Sequence, residues 1–104
     1  MKTDCSKIFQ GREAMKQLHA IVKGKVQGVW FRAWAQDLAR DLGLRGWVRN
    51  MPGGHVETVA QGDEEILKRF HESLLEGPPL ARVSEIDMDW STVEEQFTNF
   101  SVKY

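Results

Sequence analysis

The chain holds a single cysteine, Cys5, so no disulfide can close within it, and that residue sits in a polar stretch away from any histidine pair. His19, His55 and His71 show neither HxH nor HxxxH spacing, and no set of Cys or carboxylate partners joins them, so no metal site is expected. No apolar run approaches the roughly 18 residues a membrane helix requires. The first 16 residues lack a continuous apolar core, so a secretory signal is not expected and a cytoplasmic location is. Neither charge sign is in excess. Fourteen basic residues face 15 acidic ones, for a formal charge of −1, which offers no footprint for nucleic acid and no cationic stripe for an anionic membrane. Internal repeats and low-complexity tracts are missing too. The 104 residues suffice for one core and one domain.

Residues 1–16 read as a flexible tail, with Met15 a candidate natural start, and residues 17–104 as a single domain. From Leu18 the apolar residues Leu18, Ala20 and Val22 alternate with Gln17, His19 and Lys23, the period of a half-buried strand. Phe31, Trp34, Ala35, Leu38, Ala39 and Leu42 fall at helical spacing, and Gly43 follows in the place of a C′ residue. Leu44 to Asn50 and His55 to Gln61 read as two strands joined by Met51-Pro52-Gly53-Gly54, the second with Val56, Thr58 and Ala60 on one face. A second helix opens at Gly62-Asp63-Glu64-Glu65, with Asp63 as N-cap, and stops at Gly77-Pro78-Pro79. A fourth strand covers Ala81 to Trp90. Its apolar phase changes between Val83 and Ile86, which predicts a bulge near Ser84-Glu85. A last strand holds Phe97, Phe100, Val102 and Tyr104. The order βαββαβ plus a short C-terminal strand predicts an α+β, ferredoxin-like sandwich, with two helices on one face of a mainly antiparallel sheet.

The junction between the first strand and the first helix, Gly24-Lys25-Val26-Gln27-Gly28-Val29-Trp30-Phe31-Arg32, offers no capping side chain. A helix start leaves N–H groups unpaired and carries a partial positive charge. Val29, Trp30 and Phe31 cannot accept those hydrogen bonds, and Arg32 adds a cation. An external anion satisfies both demands, and Gly24 and Gly28 can take the positive φ that turns successive N–H groups inward. The second helix differs, because Asp63 and the carboxylates after it answer its dipole from within.

Two motifs, Gly24-x-Val26-Gln27-Gly28-Val29-x-Phe31-Arg32 and Gly46-Trp47-Val48-Arg49-Asn50 followed by Gly54, Val56 and Gly62, closely resemble the two signatures of the acylphosphatase family. The likeness covers about Leu18 to Tyr104. It implies hydrolysis of carboxyl phosphate anhydrides to a carboxylate and inorganic phosphate, with neither metal nor organic cofactor. It also implies that Arg32 binds the phosphate, that Asn50 orients the attacking water, and that the phosphate lies on the loop Gln27, Gly28, Val29, Trp30 and Phe31. The residue chemistry agrees. Arginine presents a planar fork that matches two phosphate oxygens, and an asparagine amide both donates and accepts, as holding a water requires. Neither motif contains a strong general base, and His55 is expected to point outward. A carboxylate leaving group needs no acid, and the substrate's own phosphate oxygen is available to take the water's proton.

Bland alternatives stand beside these roles. Gln27 suits a bond across the loop as well as a substrate contact. Trp30 suits contact with the acyl group or packing on the rim. Trp34, Trp47 and Trp90 read as packing residues, and Asp63-Glu64-Glu65 as helix capping. The sequence leaves open whether the carboxylate of Tyr104 reaches Arg32. Rival functions are a non-catalytic phosphate or phosphometabolite module, a carbamoyl-phosphate-handling domain, and an RNA-binding domain. The last would need stacking aromatics that strands one and three do not offer. A small acyl phosphate is the expected partner, with no nucleic acid, no membrane and a monomeric state.

Overall fold

The computed structural model describes residues 15–93 and 95–103; most of the predicted tail, Cys5, and Tyr104 with its carboxylate lie outside the described residues. The alternation beginning at Leu18 forms strand β1 (Met15–Lys25), in which Leu18, Ala20 and Val22 are fully buried. Helix α1 (Phe31–Asp41) follows, then β2 (Arg45–Asn50), β3 (Val56–Asp63), helix α2 (Glu64–Glu76), β4 (Arg82–Ser91) and β5 (Phe100–Lys103). The strands lie in the order β4-β1-β3-β2-β5. β1 pairs antiparallel with β3 and β4, β2 antiparallel with β3, and β5 runs parallel to β2. Each helix therefore bridges two parallel strands that leave room for a third between them, the split βαβ arrangement of a ferredoxin-like fold.

Both helices pack on one sheet face. Phe31, Ala35 and Ala39 of α1 and Leu67, Phe70 and Leu74 of α2 are buried with Val22, Val48, Val56 and Ala60 of the sheet, and Phe70 meets Phe100 edge-on at 6.0 Å. The opposite face is polar and centred on Glu57. His19 Nε2 lies 2.6 Å from its Oε2, and Arg49 Nε donates to its Oε1 at 2.6 Å. Burial pushes the Glu57 carboxyl up, but the bonds from His19 and Arg49 outweigh that and hold it below the usual carboxylate range. On this face Trp47 stands between Lys103, 4.5 Å from its ring centroid, and Arg49 at 5.6 Å.

The change of phase in β4 is a bulge: Lys23 pairs with Glu85 and Gly24 with Val83, leaving Ser84 as the extra residue. Beyond it Glu85, Asp87 and Asp89 alternate, exposed, with half-buried Ile86 and Met88.

The structure differs from the local reading at four places. β1 begins at Met15 rather than near residue 17, because Met15 and Lys16 pair with Asp63 and Gly62. β3 starts at Val56, since His55 closes the turn by accepting the Met51 N–H at 2.8 Å. Phe97 falls outside β5: its N–H donates to Oε1 of buried Gln61, whose Nε2 in turn donates to Glu95 O, so the segment is pinned to the sheet's middle before the strand begins. Asp63 takes the N-cap position of α2 without a side-chain cap hydrogen bond; it still pairs with Met15 as the last residue of β3. What sets α2 apart from α1 is Glu64 and Glu65 in its first turn, where α1 has no acidic residue.

Candidate active site

Loop 26–30 is fixed at both ends before it presents anything to solvent. Gly24, at φ 126°, packs so closely on the β4 bulge that a Cβ would meet Arg82 O and Ser84 N. Val26 and Val29 are buried, and Gln27 Nε2 donates to Met51 O at 2.9 Å and to His55 O at 2.8 Å. What remains at the surface is Gly28, at φ 75° with open space where a Cβ would stand, and Trp30. Trp30 occupies the N-cap of α1 in the left-handed region (φ 63°, ψ 23°) and provides no side-chain cap. Its carbonyl accepts the first helical hydrogen bond, from Trp34 N at 3.0 Å. By helix geometry the N–H groups of Phe31, Arg32 and Ala33 have no acceptor within the helix. Phe31, 1% exposed and edge-on to Trp34 at 5.3 Å, anchors that start in the core, a burial contributing about 1.5–3 kcal/mol.

Asn50 ends β2 beside this helix start. Val48 is buried against the helices and Arg49 points to the other face, where Glu57 holds it, so strand alternation returns Asn50 to the helix side. Gly28, Trp30, Phe31, Arg32 and Asn50 accordingly line one cleft of about 630 Å³, within the usual span of small-molecule sites and well beyond what a phosphate alone fills. Of the loop residues expected at the site, Gln27 and Val29 are not in this lining. Gln27 spends its amide nitrogen on the β2–β3 turn, and Val29 turns into the core. His55 is half-buried rather than directed outward, its Nδ1 has no hydrogen-bond partner among the described groups, and it is not in the cleft lining.

The cleft also takes in Val26 of the first motif, and Ala33, Gln36, Ser101 and Val102, which the motifs did not mark. Gln36 had a signal, since it stands four residues after Arg32 on the same helix face; its Nε2 donates to Phe100 O at 3.2 Å. Ser101 and Val102 arrive only through the parallel pairing of β5 with β2, which nothing local encodes. Among the described residues no group of three or more His, Cys, Asp or Glu is placed to hold a metal ion, and no helix is long and apolar enough to cross a membrane.

The two hydrogen bonds donated by Gln27 Nε2 join the loop to the turn that follows Asn50. Gln27→Ala leaves the Met51 carbonyl without this donor and is expected to cost about 1–3 kcal/mol, seen as a lower urea midpoint, together with a reduced kcat. An unshifted midpoint would show that the loop does not depend on this link.

A sequence model of the acylphosphatase family matches residues 18–102. An acylphosphatase from Methylococcus capsulatus is 50% identical over 88 residues, 85% of this chain and 96% of its own length. Two solved structures superpose closely: an acylphosphatase from Coxiella burnetii (TM-score 0.85, 39% identity, 90% of this chain and 98% of that one) and one from Bacillus subtilis (TM-score 0.83, 39% identity, 86% and 99%). With the first signature motif and Asn50 of the second brought to one cleft on a ferredoxin-like sheet, the chain belongs to the acylphosphatase family, and its activity is that of an acylphosphatase.

Proposed function

We propose that residues 17–104 act as one domain that hydrolyses small acyl phosphates by attack of water on phosphorus, with the phosphate held by Arg32 and the N–H groups of the loop from Gln27 to Phe31. The observation that carries this reading is the meeting of Arg32, at an α1 start with no side-chain cap, and Asn50 in one cleft. In the step itself a water oxygen bonds to phosphorus as the phosphorus–acyl oxygen bond breaks. The electron pair leaves with the carboxylate, and the water's proton passes to a phosphate oxygen. Asn50 orients the water in line, and Arg32 with the loop stabilises charge on the equatorial oxygens. No protein base is assigned. The reading carries with it a monomer in the cytoplasm that uses neither metal nor organic cofactor and binds neither nucleic acid nor membrane.

A phosphate-sensing module would use Arg32 as well, but it has no need of a water-orienting amide at the β2 end. The test is hydrolysis of benzoyl phosphate in the presence of EDTA, followed by loss of the acyl phosphate absorbance. Steady turnover is expected. Phosphate binding without turnover would overturn the enzymatic reading in favour of the sensing module.

A further inference from the structure

Trp30 is 80% exposed, the most exposed large apolar side chain among the described residues, and it lines the cleft. Its position is imposed. Val29 before it and Phe31 after it are buried, and its carbonyl is committed to the first turn of α1, so the indole has no route into the core. The left-handed backbone at φ 63° is strained for a bulky residue, a strain that a glycine there would escape. Packing on the rim, the alternative open from sequence, does not fit an indole this exposed.

The rest of the lining narrows what the indole meets. Arg32 is the one charged residue among those described around the cleft, and with the loop it serves the phosphate end. The lining also holds apolar Ala33 and Val102, with Val26 and Phe31 almost fully buried, and the neutral polar residues Gln36, Asn50 and Ser101. A charged acyl chain would find no ion-pair partner there, whereas a flat, neutral one gains a face-to-face or offset contact with the indole. We infer that Trp30 is a specificity residue whose indole stacks on the acyl group, so that aryl acyl phosphates are preferred over short aliphatic ones. This deepens the acyl phosphate reading and rests on it.

The experiment compares kcat/KM for benzoyl phosphate and acetyl phosphate in the wild-type protein, Trp30→Ala and Trp30→Phe. The benzoyl-to-acetyl ratio is expected to fall about ten-fold in Trp30→Ala, the scale of one aromatic pair, and to be largely kept in Trp30→Phe, where a stacking face survives. A ratio within two-fold of wild type in Trp30→Ala, whether or not both rates drop, would overturn the inference while leaving acyl phosphate hydrolysis intact. Failure of the wild-type protein to hydrolyse either compound would remove the underlying reading, and the inference with it.

Discussion

Arg32→Ala is expected to lower kcat/KM for an acyl phosphate by about 10³-fold or more, with weaker phosphate inhibition as well, whereas Asn50→Ala loses about 10²–10³ in kcat and keeps phosphate affinity. The contrast follows from placement. Arg32 is the only cation in the described lining of the cleft, and on the proposed reading its guanidinium fork supplies two charge-assisted bonds to the phosphate at roughly 1.5–3 kcal/mol each. Losing about 4 kcal/mol is three decades at 1.36 kcal/mol per decade. Arg32→Lys keeps the charge but not the fork, and belongs between wild type and alanine. Asn50 carries no charge and lines the cleft from the end of β2, so on the proposed reading its removal is expected to cost orientation of a water and not ground-state binding. Steady-state kinetics with inorganic phosphate as product inhibitor separates the two. Near-normal turnover in either alanine variant would refute the assigned role, and equal loss of phosphate affinity in both would refute the division of labour.

Gly46→Ala is the second large effect, on folding rather than on chemistry. Gly46 sits within β2 at φ 145°, where a Cβ would overlap the carbonyl of Val59. Neither side can yield: β3 is paired on its other edge with β1, and Gly46 N donates to Asn99 O at 2.9 Å. Strain plus overlap costs about 3–5 kcal/mol, a large share of a stability of order 5–15 kcal/mol, and lowers Tm by roughly 15 °C or more at 4–8 °C per kcal/mol. Gly43→Ala is the comparison. At φ 75° with open space around it, it carries the backbone term alone, about 1 kcal/mol. Thermal melts followed by circular dichroism should separate the pair clearly, and equal Tm values would show that contact with Val59 contributes nothing.

Local pattern sufficed wherever a residue's environment is set by its neighbours in sequence. The alternation over 18–22, the helical spacing from Phe31 to Leu42 with Gly43 behind it, and the change of phase at Ser84 all appear as read. The juxtaposition of Arg32 and Asn50 was legible because the first motif leads out of β1 into the start of α1 and the second runs to the end of β2, and the fold makes those two strands parallel. What escaped depends on distant partners. Met15 and Lys16 join β1 through Gly62 and Asp63, Phe97 leaves β5 for Gln61, and Ser101 enters the cleft on a strand that pairs across more than fifty residues of chain. Gln27 shows the same limit: its type announced a hydrogen bond, but the partners, Met51 O and His55 O, lie on a turn that the loop's own sequence does not specify.

Among the described residues β4 has no neighbour beyond it in the sheet, and ten residues of strand with one open rim invite another chain to continue the ladder. Glu85, Asp87 and Asp89 answer that risk. An incoming antiparallel copy of the same strand would set carboxylates beside carboxylates along its length, and the displaced backbone at Ser84 spoils the register at one end. Lys23 of β1 pairs with Glu85 and Asp87, and acidic residues along an open rim are an arrangement that disfavours continuation of the ladder by a second copy.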